Sequence, residues 1–219
     1  MFVHQFLELG AGQAVSIEFR QRGEADTPEN LAALRQATGI FLSGGIQMRI
    51  ATLMGGTAFE AEMMAAYRRG CLIGGTSAGA SILSKTMIAH GRGGPTPRER
   101  IVQLSAGLGF TDRFVFDQHF RQRDRLGRLI YAVASYPGVL GVGLDEDTAA
   151  IVEDDSSITV WGSGGVTLVD GSQMTYSDIA DVENRGPVAV SNLLVSILTH
   201  GCRYQNGKTT IPPKISSTE

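Results

Sequence analysis

The sequence predicts an α/β protein: a doubly wound, mostly parallel sheet flanked by helices, with a hairpin-rich C-terminal part. Three observations lead there. Short apolar runs alternate with helical patterns through the first half of the chain. One of these runs, Cys71-Leu72-Ile73, passes into Gly74 and then Gly75-Thr76-Ser77-Ala78-Gly79, a Gly-x-Ser-x-Gly turn that needs a strand before it and a helix after it. Beyond Pro137-Gly138 the pattern changes to short β-like runs separated by pairs such as Asp170-Gly171.

In chain order, Phe2, Phe6 and Leu9 share one face of a helix that Gly10 or Gly12 closes. Ala14 to Phe19 alternates as a strand. Asp26 or Thr27 then caps a helix with Pro28 in its first turn, Leu31 and Leu34 inward and Gly39 as its stop. Ile40-Phe41-Leu42 is the next strand, running into Ser43-Gly44-Gly45-Ile46-Gln47, and a helix from Thr57 to about Arg69 leads into the Ser77 strand. Phe114-Val115-Phe116 is a further strand, and Leu126, Leu129, Ile130 and Val133 mark an amphipathic helix within Gln122–Tyr136. Strands follow at Val139–Leu144, Thr148–Val152, Ser157–Trp161, Gly165–Val169 and within Val188–Leu198. Residues 1–204 are expected to form a single domain, and 205–219 a polar, disordered tail with Pro212-Pro213.

Composition narrows the function. With 219 residues, 42% of them hydrophobic, the chain can bury one sizeable core. A net charge of −3 gives no basic field for nucleic acid or an anionic membrane, and no apolar run approaches the roughly 20 residues of a membrane span. Two cysteines, Cys71 and Cys202, make neither a disulfide framework nor a metal site. The start lacks the pattern of a signal peptide, so a cytoplasmic protein is expected.

The Gly75–Gly79 turn carries the chemistry. A sharp strand-to-helix reversal projects the Ser77 hydroxyl above the sheet as a nucleophile elbow and leaves the Ala78 N–H at a helix start, facing an oxyanion. Gly44-Gly45, just beyond a neighbouring strand, offers a second donor in the Gly45 N–H. Gln47 follows as a neutral group able to hold an amide or a carboxylate. A serine needs a base, and of the four histidines His119 stands at a strand end in Asp117-Gln118-His119-Phe120, whereas His4 lies on the terminal helix and His90 in a glycine-rich loop. Arg121, Arg123 and Arg125 crowd the first turn of the following helix, where positive charge opposes the helix dipole, so an anionic partner is expected nearby. Asp145-Glu146-Asp147 reads either as a solvated acidic turn or as a segment beside the site.

Taken together, Gly75–Ser81, Asp117-Gln118-His119-Phe120 with Arg123, Arg125 and Arg128, and Gly143-Leu144-Asp145-Glu146-Asp147-Thr148-Ala149 resemble cyanophycinases, serine peptidases related to peptidase E. The resemblance runs from the N-terminal helix to about Tyr204. It implies Ser77 as nucleophile, His119 as base, and Gln47, Asp117, Gln118, Arg123, Arg125 and Arg128 as substrate-binding residues. The implied reaction is hydrolysis of cyanophycin, a polymer with an aspartate backbone carrying arginines, to β-Asp-Arg dipeptides, by a homodimer and without metal or organic cofactor. Two departures stand out. The family usually begins with a further strand, a Gly-rich turn and a βα unit. In the loop matching His90–Glu99, where the family's orienting acid is expected, this chain has Gly94 and Pro95, leaving Glu99 as a substitute. Two other readings follow. One is an α/β-hydrolase esterase with His200 as base and Asp170 or Asp178 as acid. The other is a truncated, weakly active or inactive homologue that binds an Arg- and Asp-containing peptide.

Overall fold

The computed structural model describes residues 2–212, and it is a mixed α/β structure with six α-helices and fourteen short strands among them. The chain divides into two units, Met1–Ile40 with Thr52–Ile73, and Phe41–Ala51 with Gly74–Glu219.

The first unit opens with α1, Phe2–Glu8, which ends where Gly10 takes a φ of 96°. The strand expected over Ala14–Phe19 is corrected: the segment has the alternation but forms no ladder with any strand among the described residues. Thr27 caps α2, Pro28–Gln36, by accepting the Asn30 N–H at 3.3 Å. Asp26, the other expected cap, instead accepts the Phe59 N–H at 2.8 Å. Next along the chain come β1, Gly39–Leu42, and α3, Gln47–Met54, each divided between the two units; α3 is an eight-residue helix that glycine pairs on both sides disguise as loop. Then α4, Ala58–Arg68, buries Phe59, Met63 and Ala66 and packs on α2, and β2 covers Leu72–Gly75. The bonds Leu72 N–H to Thr38 O and Thr76 N–H to Leu42 O, both 3.0 Å, run the same way along β1 and β2, so the pair is parallel.

In the second unit the elements are α5 (Ala78–Ser81), β3 (Thr86–Gly91), β4 (Val102–Ala106), β5 (Phe114–Gln118), α6 (Leu126–Ser135), β6 (Leu140–Leu144), β7 (Thr148–Val152), β8 (Ile158–Gly162), β9 (Val166–Asp170), β10 (Tyr176–Ser177), β11 (Val190–Ser191), β12 (Leu194–Leu198), β13 (Arg203–Gln205) and β14 (Lys208–Thr210). One sheet has the order β12-β9-β6-β5, and its only parallel neighbours are β5 and β6. A second, antiparallel sheet has the order β14-β13-β8-β7. Because strand side chains alternate, Val115 joins a core with Leu129, Ala132 and Val133 of α6, while Phe114 and Phe116 join one with Ile158 and Val160 of β8. Both faces of β5 are therefore covered, and all five of its residues are buried.

Of the C-terminal strands expected, Thr148–Val152 and Ser157–Trp161 form the hairpin β7–β8; a further hairpin, β13–β14, is unexpected. The tail expected to be disordered from Gln205 is corrected as far as Thr210, which closes the second hairpin; residues 213–219 lie outside the described residues. His90, expected in a loop, is in β3, which pairs with β4. No helix among the described residues is long and apolar enough to cross a membrane.

Candidate active site

Ser77 stands between β2 and α5, in the turn that the motif anticipates. Close backbone approach explains both motif glycines. A Cβ on Gly75 would strike the carbonyl oxygen of Gly79, and one on Gly79 would strike that of Leu42 and come within 2.7 Å of that of Ser43. Ser77 itself takes φ 55° and ψ −120°, a conformation that non-glycine residues seldom adopt and that a well-packed surround must enforce. The backbone of Gly44 lies against it: a Cβ there would be 3.2 Å from Ser77 Cβ and 3.6 Å from its Oγ. Ala78 is the first residue of α5, so its N–H has no intrahelical acceptor.

Ser77 Oγ lies 3.0 Å from His119 Nε2, and His119 Nδ1 lies 2.7 Å from Glu146 Oε1. Strand register brings these groups together. Gln118, the last residue of β5, is paired with Leu144, the last of parallel β6, so the chain leaves both strands at one level. His119 follows one residue later and Glu146 two. The Phe120 N–H donates to Leu144 O at 2.9 Å and buries its ring, while His119 is carried at a φ of 48°. With Nδ1–H donated to the carboxylate, Nε2 is left to accept from the serine hydroxyl.

Glu99 is thereby corrected as the acid. Its Oε2 accepts the Arg185 N–H at 2.8 Å, its Oε1 pairs with Arg100 Nε at 3.0 Å, and Glu146 occupies the Nδ1 side of His119. His200 belongs to a different setting: its Nδ1 accepts the Gly162 N–H at 3.3 Å and its ring meets the edge of Trp161. Asp170 accepts from Ser172 and Tyr204, and Asp178 from Ala189, so neither candidate acid serves that histidine.

The remaining predicted residues form two groups. Asp117, Arg125 and Arg128 are buried and bond to one another. Asp117 Oδ2 accepts Arg128 Nε at 2.6 Å, its Oδ1 accepts Arg128 Nη2, and Arg125 Nη1 reaches Oδ1 at 3.2 Å and also the Gln118 carbonyl. Two guanidinium groups thus share one carboxylate, and burial lowers Arg125 to a pKa of about 10 against the pull of Asp117. Gln47, Gln118 and Arg123 make up the second group. Gln47 Nε2 donates to Ile88 O at 2.9 Å, Gln118 Oε1 is buried with no protein partner, and Arg123 is exposed. Gly45 has a φ of 144°, in keeping with glycine there.

Asp145-Glu146-Asp147, expected either as a solvated turn or beside the site, lies beside it, with Glu146 on His119 and Gln122 on the Glu146 N–H, contacts that no motif had assigned. The available signal was positional: Gly143-Leu144-Asp145-Glu146 closes a strand just as Asp117-Gln118-His119 does, and neighbouring parallel strands end side by side.

A serine hydroxyl bonded to a histidine that a carboxylate orients, at a strand–helix turn of an α/β protein, defines a serine-type hydrolase. Residues 2–160 match Peptidase family S51, and the chain belongs to that family. It is 37% identical over 215 residues to cyanophycinase of Trichormus variabilis, which covers 98% of this chain and 72% of the relative. It is also 37% identical over 212 residues to cyanophycinase of Geminocystis herdmanii, covering 96% and 78%, and 39% identical over 200 residues to that of Synechococcus elongatus, covering 91% and 62%.

Proposed function

We propose that the chain hydrolyses the aspartate backbone of cyanophycin to β-Asp-Arg dipeptides, with Ser77 as nucleophile, His119 as base and Glu146 as the orienting acid. The observation that carries the chemistry is the unbroken relay from Ser77 Oγ through His119 to Glu146, 3.0 Å and 2.7 Å in its two links. The names of the relatives supply the substrate. We read the turn as a nucleophile elbow on a doubly wound scaffold, supported by the parallel pairs β1–β2 and β5–β6.

Ser77 Oγ attacks the scissile carbonyl carbon as its proton passes to His119 Nε2, and Glu146 stabilises the imidazolium. The carbonyl oxygen becomes an oxyanion, received by the N–H groups of Ala78 and Gly45. On collapse the C–N bond breaks, His119 returns the proton to the leaving amine, and the acyl group stays on Ser77. Water then adds with His119 again as base, and cleavage of the ester restores the hydroxyl. Gln47, Gln118 and Arg123 contact the substrate, whose free α-carboxylates suit a guanidinium group. Asp117, Arg125 and Arg128, which the resemblance implied as substrate-binding, are instead buried and paired with one another and act on the site from within the core. The enzyme works as a homodimer in the cytoplasm, and sedimentation of the purified protein tests the dimer.

The reading is tested by following dipeptide release from cyanophycin granules by the parent protein, Ser77→Ala and His119→Ala. The parent releases dipeptide, and each variant loses on the order of 10⁶-fold in turnover. A folded Ser77→Ala protein that still turned over at the parent rate would refute it.

A further inference from the structure

The relay depends on a residue poorly secured by itself. Ser77 and His119 sit on the ends of packed elements, but Glu146 lies two residues beyond β6 with its side chain half exposed. The neighbouring residue supplies what is missing. Asp145 is nearly buried, and both of its carboxylate oxygens accept backbone N–H groups. Oδ1 accepts from Arg121, two residues past His119, at 3.1 Å, and Oδ2 accepts from Gly165, the residue before β9, also at 3.1 Å. Its own N–H donates to Gly165 O at 3.1 Å, and Arg121 Nε stands 3.6 Å from Oδ2. From the other side, Gln122 Oε1 accepts the Glu146 N–H at 3.3 Å.

We infer that Asp145 is a positioning residue for the proposed hydrolysis: its carboxylate ties the segment carrying Glu146 to the segment carrying His119 and so sets the Nδ1–Oε1 contact. The inference rests on the reading of Ser77, His119 and Glu146 given above. The chemistry requires a carboxylate. Two N–H donors converge on two different oxygens, so an amide of the same shape would have to turn its NH₂ toward one of those donors and lose that bond. The loss separates the two segments without touching substrate, Ser77 or His119. Displacement of a supporting group by about 1 Å costs up to 10²-fold in rate.

The test compares Asp145→Asn, Glu146→Gln and the double variant in dipeptide release from cyanophycin, measuring kcat and KM separately. Asp145→Asn lowers kcat on the order of 10²-fold with KM unchanged. In the Glu146→Gln background it costs nothing more, because its action passes through Glu146. A residue that only supports the fold would instead lower activity equally in both backgrounds. Additive losses, a raised KM with parent kcat, or parent kinetics for a folded Asp145→Asn would each overturn the inference. If Asp145→Asn does not fold, Asp145→Ser, which keeps a single acceptor, replaces it: loss of kcat that vanishes in the Glu146→Gln background supports the inference, and parent kcat overturns it. Parent kcat for Glu146→Gln itself would sink the relay as well, and would be told apart by that variant alone.

Discussion

At the scale of single residues, the site is built from places where a side chain has no room. Gly79 is the clearest: a Cβ there drives into the carbonyls of Leu42 and Ser43, which are backbone and cannot swing aside. Gly79→Ala must shift the turn holding Ser77, so it loses about 1–3 kcal/mol of stability and on the order of 10²-fold in turnover, read by thermal melting and dipeptide release. Asp117 is the charge counterpart. It is wholly buried between Arg125 and Arg128, and Asp117→Ala leaves two buried cations without an anion. Removing one partner of such a group costs about 3–5 kcal/mol, visible as a lowered denaturant midpoint with unchanged slope. A melting temperature equal to the parent's would mean that solvent already reaches the guanidinium groups.

At the scale of elements, β5 and β6 do most for the site. Apolar runs and turn residues made both strands legible, and Phe114-Val115-Phe116 was read correctly as apolar because a strand covered on both faces need not alternate. Their pairing was not legible. Nothing local says that Gln118 stands opposite Leu144, and without that register Glu146 is only one acid in an acidic turn. Glu99, the only acid in the loop where the resemblance places the orienting group, is instead set by folding on the Arg185 N–H and on Arg100. The β13 strand carries a pH-dependent contact. Burial raises the Tyr204 phenol above its ordinary value, and the Asp170 carboxylate adds to the shift. Stability tied to the neutral phenol is present below pH ~10 and is lost as pH rises through the folded value. Denaturation of Tyr204→Phe across that range shows a flatter alkaline limb, whereas superimposable curves would place the alkaline loss elsewhere.

At the scale of the whole molecule, the serine, the histidine and the α/β class were all visible in sequence, because each rests on a local pattern: Gly-x-Ser-x-Gly after an apolar run, a polar cluster at a strand end, and alternating β and α periodicities. Global features were less visible. The C-terminal half is mostly antiparallel rather than the mostly parallel sheet expected: one sheet, β14-β13-β8-β7, is antiparallel, the other, β12-β9-β6-β5, is parallel only at β5–β6, and the expected strand at Ala14–Phe19 forms no ladder among the described residues. Membership of Peptidase family S51 joins these levels, since the matched residues, 2–160, contain Ser77, His119 and Glu146 together. The proposed hydrolysis requires Ser77 to be a nucleophile made reactive by His119. Reaction of the purified protein with a fluorophosphonate, followed by peptide mass analysis, decides it. One added group is expected, on Ser77, formed at a rate that falls on the order of 10³-fold or more in His119→Ala. Labelling of another residue, or of Ser77 at the same rate without His119, would contradict it.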